Sequence, residues 1–491
     1  MKTNRRSFFK IAGVAGAGML SGSLTSCVSK SDTRKQTNFA FIEEEAGKKH
    51  TQLFNMSGFA APGIDTVRVG IIGLGQRGPG AVERIANIEG VEIRALCDQK
   101  MDRVEKAQNI LSKHGLPAAK AYGGNPDAWK ELCQSTDLDL VYICTPWQLH
   151  TPMAVFAMEN GKHAASEVPA ATTLQEAWQL VETSEKTKKH CMMLENCCYD
   201  FFELLTLNMA RQGFFGELLH AEGAYIHDLR DLLFSKTGYV DMWRLKHNQK
   251  RKGNIYPTHG LGPVCQALNI NRGDQMEYLT SMSTNDYQLY NMAGELAKSD
   301  NFYKEFVTPT YRGNMNTTSV RTVKGRTIMI QHDTTSPRPY SRIHLISGTK
   351  GVACKYPEPG KIASGHEWFE EARMKELEEQ YTPEIVKRVG EMAKKIGGHG
   401  GMDFMMDWRL IDCLRNGLPL DQDVYDAALW SCIAPLSEWS VANRSNSIEV
   451  PDFTCGSYQA NKPVDISLSQ GGNTGVRAMT TVPDNQLTIK K

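Results

Sequence analysis

The sequence predicts a two-domain α/β chain: a doubly wound parallel sheet, followed by a domain with a largely antiparallel open sheet. Three observations carry this expectation. Strand-like and helix-like segments alternate from residue 66 to residue 199. A glycine-spaced turn, "GLGQRG" at 73–78, joins the first of these strands to the first helix. Beyond residue 200 the alternation stops, and strand-like runs succeed one another mostly without helices. At 491 residues the chain is also too long for one ordinary core.

The elements follow in order. "TVRVGIIG" (66–73) is an apolar run with the composition of a buried strand, and "GAVERIANI" (80–88) is an amphipathic helix. "VEIRALCD" (91–98) is a second strand, and "RVEKAQNILSKHG" (103–115) a helix closed by Gly115. "LDLVYICTP" (138–146) is a strand followed by a helix over 151–160. "HAASEVP" (163–169) and "HCMMLEN" (190–196) are strands with the helix "LQEAWQLVETSEKT" between them. In the second domain, 218–228, 277–285, 316–334 and 342–356 read as strands, and 367–395 and 402–415 as charged helical stretches.

The first 65 residues stand apart. Arg5-Arg6 leads into Ser7, Phe8, Phe9 and Lys10, then an apolar Gly/Ala-rich run over 11–24. That run is too short to span a bilayer and has the layout of a signal peptide, with paired arginines of the twin-arginine export type. "LTSC" (24–27) resembles a lipoprotein box, which makes Cys27 the expected lipidation site. The expected organisation is signal 1–27, tether and N-terminal arm 28–65, Rossmann domain 66–199 and substrate domain 200–491. The expected location is periplasmic or cell-surface.

Lys plus Arg number 56 and Asp plus Glu 55, so the net charge is +1. Nothing in that balance calls for nucleic acid, and membrane contact is expected only through a lipid anchor. Twelve cysteines lie scattered, often in apolar runs, with no C-x-x-C spacing. They read as buried free thiols of a chain that folds before export, and no metal site is expected.

Gly73, Gly75 and Gly78 form G-x-G-x-x-G directly after a strand and before a helix. Such glycines allow a tight turn, approach of a pyrophosphate to the backbone, and close helix packing. Asp98 ends the second strand, where an acid accepts hydrogen bonds from ribose hydroxyls and repels a 2′-phosphate. The expected cofactor is therefore NAD.

"GLGQRG", "CTPWQLH" and "SEVPAATT" together resemble the oxidoreductase family named after glucose–fructose oxidoreductase and inositol dehydrogenase. That family carries E-K-P where this chain has Glu167-Val168-Pro169, so its lysine is missing here. "WRLKHNQKRKGNIYPTHGLGP" (243–263), "ENCCYD" (195–200) and the E-V-P departure are similar to glycoside hydrolase family 109. This resemblance implies an NAD-dependent α-N-acetylgalactosaminidase. It places NAD against Gln76, Arg77, Asp98, Trp147, Gln148, Leu149, His150, Glu167, Val168 and Asn196. It places the sugar against Tyr225, Arg244, Tyr256, Pro257, Thr258, His259 and Tyr340.

An ordinary glycosidase needs two carboxylates flanking the bond, and no such pair stands out in the sequence. The route implied by the resemblance avoids that need. It proceeds by transient oxidation at C3, loss of the C2 proton, elimination at C1, addition of water and return of the hydride. The base must work near neutral pH, which favours histidine. His259 is the expected base, in a loop shaped by Gly260, Gly262 and Pro263, with Tyr256 holding or relaying a proton beside it. His227 shares a strand face with Tyr225. The histidines in "SGHEWFE" (364–370) and "GGHGGMDFMMDWRL" (397–410) are assigned to structure, the latter before a helix packed near the site.

Twin-arginine export carries folded proteins, so tightly held NAD can travel with the chain, with the N-terminal arm helping to cover it. The main rival reading is an exported NAD-dependent sugar dehydrogenase, against which Val168 speaks; another is a non-catalytic sugar-binding lipoprotein. A homo-oligomer through the open sheet is compatible with either.

Overall fold

A computed structural model of the chain describes residues 39–477. The signal segment, Cys27 and the first part of the tether lie outside the described residues. No helix among the described residues is long and apolar enough to cross a membrane.

The first domain is built on six parallel strands. They are β1 (Val67–Ile72), β2 (Val91–Asp98), β3 (Lys120–Gly123), β4 (Leu140–Ile143), β5 (His163–Ser166) and β6 (Cys191–Met193). Their order is β3-β2-β1-β4-β5-β6, so the strand order reverses between β1 and β4 while all strands stay parallel. At such a switch point the carboxyl ends of the strands leave a crevice for a ligand. Val69, Gly70, Ile71 and Ile72 of β1 are all buried, as expected of a strand covered on both faces. Helix Leu174–Thr187 starts on a reciprocal capping box between Thr173 and Glu176. The short strand β3 and helix Ala128–Gln134 were not read from the sequence. The Gly, Asn and Pro that separate them give that stretch the composition of a loop.

The second domain holds an eight-stranded sheet. Its strands are β7 (Leu218–Ile226), β8 (Met276–Ser283), β9 (Asn316–Thr322), β10 (Thr327–Asp333), β11 (Leu345–Gly348), β12 (Val352–Cys354), β13 (Lys361–Ala363) and β14 (Ile448–Glu449). They lie in the order β13-β12-β11-β7-β10-β9-β8-β14. The β7–β10 pairing is parallel and the others are antiparallel. It brings Tyr225 beside His332 and sets β7 at the centre of the sheet, where the site is built.

Helix Val424–Ala442 packs against both domains, touching helix Leu174–Thr187, β6 and β8. Nearly all of its residues are buried, and it has no polar face. A helix apolar all round shows no 3.6-residue alternation, which is why the sequence did not disclose it.

The described part of the N-terminal arm is ordered against the core. His50 stacks on Trp178 at 3.6 Å between ring centroids. The Met56 N–H donates to Tyr425 Oη at 3.1 Å, and Ala61 N–H to His190 Nε2 at 3.4 Å. His190 immediately precedes β6, at the end of the parallel sheet opposite the glycine turn. The described part of the arm, residues 39–65, therefore lies away from the cofactor crevice and does not give the cover expected above; residues 28–38 of the arm lie outside the described residues. The described cysteines are all free thiols, and Cys455 is the exposed one among them.

Candidate active site

The glycine turn follows β1 and meets the steric demands of its spacing. Gly73 has φ +91°, and a Cβ there would lie 2.6 Å from the Cys144 carbonyl oxygen. A Cβ on Gly78 would sit 2.0 Å from the Gly73 oxygen, so the helix can start this close to the turn only on glycine. Gly75 is different: the nearest atom to its virtual Cβ is Arg103 Nη1 at 3.3 Å. The backbone there is open to a ligand, which fits the approach of a pyrophosphate. Asp98 ends β2 and is buried; its Oδ2 accepts the Leu74 N–H at 2.8 Å and its Oδ1 the Lys100 N–H at 2.9 Å. Asp98 thus shapes the turn as well as standing where a ribose would lie.

The other expected cofactor residues divide. Gln76 and Gln148 are exposed, Leu149 is half-buried and Val168 is buried. His150 has both ring nitrogens facing carbonyls, Pro169 and Thr145, each at 2.7 Å, so neither is free for a ligand. Arg77 Nε donates to Glu167 Oε1 at 2.9 Å, and its Nη1 to Asp403 Oδ2 at 3.1 Å. Asn196 donates to the other oxygen of Asp403.

Asp403 and Asp407 come from helix Met402–Asn416, one turn apart. Asp407 receives Arg84 Nε at 2.7 Å and Tyr142 Oη at 2.8 Å. Burial alone would raise the pKa of Asp403, but Arg77 and Arg84 hold it well below the usual carboxylate range. The glycine-rich stretch before this helix therefore leads into a clamp on the nucleotide turn. Sequence reading assigned the stretch to structure; the signal it contained was the pair of acids four residues apart.

Trp147 links the two domains. It stacks on Tyr256 at 5.5 Å with 23° between planes, and Arg244 lies over its ring at 5.3 Å. Around this contact the second domain gathers Tyr225, Tyr256, His259 and Arg244. Tyr225 lies 4.8 Å from Tyr256 and 5.2 Å from His259, ring to ring. Arg244 Nη1 donates to Tyr239 Oη at 2.8 Å, whereas its buried Nη2 has no partner among the described residues. A buried guanidinium N–H without an acceptor is costly and marks a place for a ligand oxygen. His227 Nδ1 is 3.3 Å from Tyr225 Oη, and Tyr340 flanks His227 at 5.2 Å.

His259 is not in a loop. It occupies the first turn of helix Thr258–Ala267, with Pro257 at its N-cap and Thr258 fully buried. The glycines that suggested a loop serve packing. A Cβ on Gly260 would lie 2.2 Å from Ala224 N, and one on Gly223 would lie 2.3 Å from Gly260 O. Helix and β7 cross glycine on glycine, which brings His259 against Tyr225.

One residue that sequence reading passed over completes the group. Glu195 is fully buried, and its Oε1 lies 2.7 Å from His259 Nδ1. Burial works to raise its pKa, yet His259, Thr258 and the Cys197 N–H together bring it below the ordinary value. A carboxylate there accepts only, so Nδ1 carries the proton and the Nε2 lone pair faces the site. Nε2 is 3.4 Å from Tyr256 Oη. Burial pushes the Tyr256 and Tyr225 phenols up, so both stand as proton donors at neutral pH. Glu195 lies in the "ENCCYD" stretch, where the family resemblance points to its neighbour Asn196 instead.

Comparison with known proteins gives the family of each domain. Residues 67–195 match the model of the oxidoreductase family with an NAD-binding Rossmann fold. Residues 199–460 match that of the glycosyl hydrolase 109 C-terminal domain. A glycosyl hydrolase family 109 protein of Porphyromonas gingivalis is 51% identical over 429 residues, covering 84% of this chain and 89% of its own. An α-N-acetylgalactosaminidase of Bacteroides fragilis is 50% identical over 412 residues, covering 82% of this chain and 95% of its own. Levoglucosan dehydrogenase in complex with NADH and levoglucosan has the same fold, with TM-score 0.60 and 17% identity, over 79% of this chain and all of that one.

Proposed function

The chain belongs to glycosyl hydrolase family 109, and on that premise we propose that it hydrolyses terminal α-N-acetylgalactosaminides with NAD as a resident catalyst. One observation carries the reading: His259, oriented by Glu195, presents Nε2 to Tyr256 Oη, and Arg244, 4.8 Å over the Tyr256 ring, keeps a buried Nη2 without a partner among the described residues. A pair of free carboxylates, which direct displacement would need, is not what surrounds this point. The acids that bear on Tyr256 are Glu195 and Glu167, and they are engaged by His259 and Arg77.

The glycine turn, Asp98, Arg77 and Glu167 would hold the nucleotide. When bound, NAD supplies a reversible hydride acceptor for C3 of the sugar, which acidifies C2 and lets the C1 substituent leave by elimination before water adds.

In this reading His259 Nε2 takes the proton of a sugar hydroxyl or carbon. Glu195 stabilises the imidazolium that results. Tyr256 Oη donates and recovers a proton in the same hydrogen-bond chain. Arg244 Nη2 binds the acetamide carbonyl or a hydroxyl, and its desolvated site strengthens that bond. Trp147, Tyr225 and Tyr256 shield the reacting carbons from water.

The test is direct. The purified protein, given no NAD, is denatured and its released nucleotide measured. In parallel the native protein is incubated with para-nitrophenyl α-N-acetylgalactosaminide in deuterated water. Bound NAD, aglycone release and deuterium at C2 are the expected results. Bound NAD with NADH formation and no aglycone release would overturn the glycosidase in favour of a sugar dehydrogenase.

Export of the folded, NAD-loaded chain by the twin-arginine route, with lipid on Cys27, is part of the proposal and is supported by the leader sequence. A Cys27→Ser variant should then leave the membrane fraction.

A further inference from the structure

Tyr340 belongs to the tyrosine–histidine group and is half-buried there, with its ring 5.2 Å from His227 and 6.1 Å from Tyr225. Its Oη accepts Arg342 Nη1 at 3.1 Å. A guanidinium only donates, so it leaves the phenol's own hydrogen unused. No acceptor for that hydrogen is found among the described residues. Tyr340 is therefore left as a hydrogen-bond donor at the edge of the site.

The rest of the Arg342 side chain is tied down. It is buried, its Nη2 lies 2.7 Å from both Asp200 and Glu203, and its Nε donates to Glu203 at 3.2 Å. Lys355 Nζ, 2.6 Å from Asp200 and 3.5 Å from Glu203, completes a set of two cations and two carboxylates. Two more acids lie close by: Glu358, 3.9 Å from Lys355, and Glu378 are both exposed and form no ion pair with Arg342 among the described residues.

The backbone is strained directly after this arginine. Ile343 and His344 have φ +61° and +46°, and a β-branched residue rarely takes a left-handed conformation. Such residues persist only where their surroundings over-determine them, and they cluster at functional sites. Here the surroundings do so. The Ala224 N–H donates to the Arg342 carbonyl at 2.7 Å, Ser341 and Ile226 exchange both backbone bonds at 3.0 Å, and His344 Nε2 is 2.8 Å from Thr206 Oγ1. Strand β7, which carries Tyr225, thus also fixes the segment that carries Tyr340 and Arg342.

We propose that Arg342 is a positioning residue: it fixes the Tyr340 phenol with its hydrogen turned to the sugar, so that Tyr340 binds a sugar oxygen as a donor. Asp200 and Glu203 hold the guanidinium in place for this task. This rests on the glycosidase reading above, which supplies the sugar.

The test is a double-mutant cycle on the NAD-loaded protein. Arg342→Lys keeps a charge between the two acids, but a point donor cannot span both carboxylates and the phenol as a planar fork does. Tyr340→Phe removes the hydroxyl. Both single variants and the double variant are assayed for kcat/KM on para-nitrophenyl α-N-acetylgalactosaminide. Their affinity for free N-acetylgalactosamine is read separately by tryptophan fluorescence, and thermal unfolding checks the fold. The expected result is a loss of about tenfold in each single variant, in both readouts, with no further loss in the double variant. Losses that multiply in the double variant, or an Arg342→Lys protein that loses stability and keeps both kcat/KM and sugar affinity, would overturn the proposal. If Arg342→Lys does not fold, Glu203→Gln takes its place: it loosens the guanidinium, and its loss should again vanish in the Tyr340→Phe background. Wild-type protein that forms NADH and releases no aglycone would overturn the glycosidase reading instead, and the cycle on sugar affinity would then decide the role of Arg342 by itself.

Discussion

Glu195 Oε1 lies 2.7 Å from His259 Nδ1, and this contact decides which nitrogen of the imidazole faces the site. Glu195→Gln keeps the shape but presents an amide that can donate to Nδ1, turning Nε2 into an N–H. Such a histidine is no longer a base. Activity should fall by about 10²-fold or more, within the usual span of general acid–base contributions. Bound NAD should be unchanged. Glu195→Asp should recover part of the activity and shift the pH profile, whereas a merely structural role would move stability instead.

Asp403 ties the second domain to the nucleotide turn. Its two oxygens meet Arg77, His399 and Asn196, with Arg84 Nη1 at 3.5 Å. Asp403→Asn would leave two arginines facing a neutral group in a buried place. Arg77 keeps Glu167 and Arg84 keeps Asp407, so neither charge is left uncompensated and the cost is that of the lost charge-assisted hydrogen bonds, about 1–3 kcal/mol. Denaturant unfolding should show a loss of that size, and NAD titration a weaker affinity because Arg77 loses its anchor. Unchanged NAD affinity would separate the clamp from cofactor binding.

Much of this architecture was legible because its signals are local. The alternation from β1 to β6, the glycine turn and Asp98 each follow from a pattern within a few residues. The residues around His259 were legible only through family resemblance. Tyr225, Arg244, Tyr256 and Trp147 come from separate elements, and nothing in their spacing says that they meet. The local pattern misled at His259, because glycines needed for close helix–strand packing look the same as glycines that open a loop. Glu195 and Asp403 act across the chain, on partners 64 and 326 residues away, and sequence patterning carries no record of such pairs.

The glycines of the nucleotide turn make separable predictions. Gly78→Ala puts a Cβ 2.0 Å from the Gly73 oxygen, a backbone atom that cannot give way. It should destabilise the fold by about 1–3 kcal/mol, as overpacking does, and lose NAD as well. Gly75→Ala meets only the flexible end of Arg103, at 3.3 Å. It should unfold like the wild type yet bind NAD more weakly, because the methyl group occupies the approach of the ligand. Thermal unfolding with nucleotide content measured on the same samples distinguishes the two.

Acid should loosen the fold from the end opposite the active site. His163 and His190 sit at the starts of β5 and β6, and both act as acceptors. The His190 N–H donates to His163 Nδ1 at 3.0 Å, and the Ala61 N–H to His190 Nε2 at 3.4 Å. Burial pushes His163 down to about 3, helped by His190 and Lys189, and His190 down to about 4, helped by Lys189. Asp139 opposes this at His163 but does not win. An unfolded histidine titrates near 6.5, so below that pH the unfolded chain takes up protons that the native one refuses. The stabilisation is therefore present above about pH 6.5 and is lost as the pH falls towards the native values. At pH 5 the loss is about 2 kcal/mol for each of the two histidines. A His163→Gln, His190→Gln double variant should flatten the fall in Tm between pH 7 and pH 5. Because His190 receives the N–H of Ala61, proteolysis within the arm should also quicken at pH 5 in the wild type. An equally steep fall in the double variant would assign acid lability to other buried groups, such as His344, which burial pushes down to about 3.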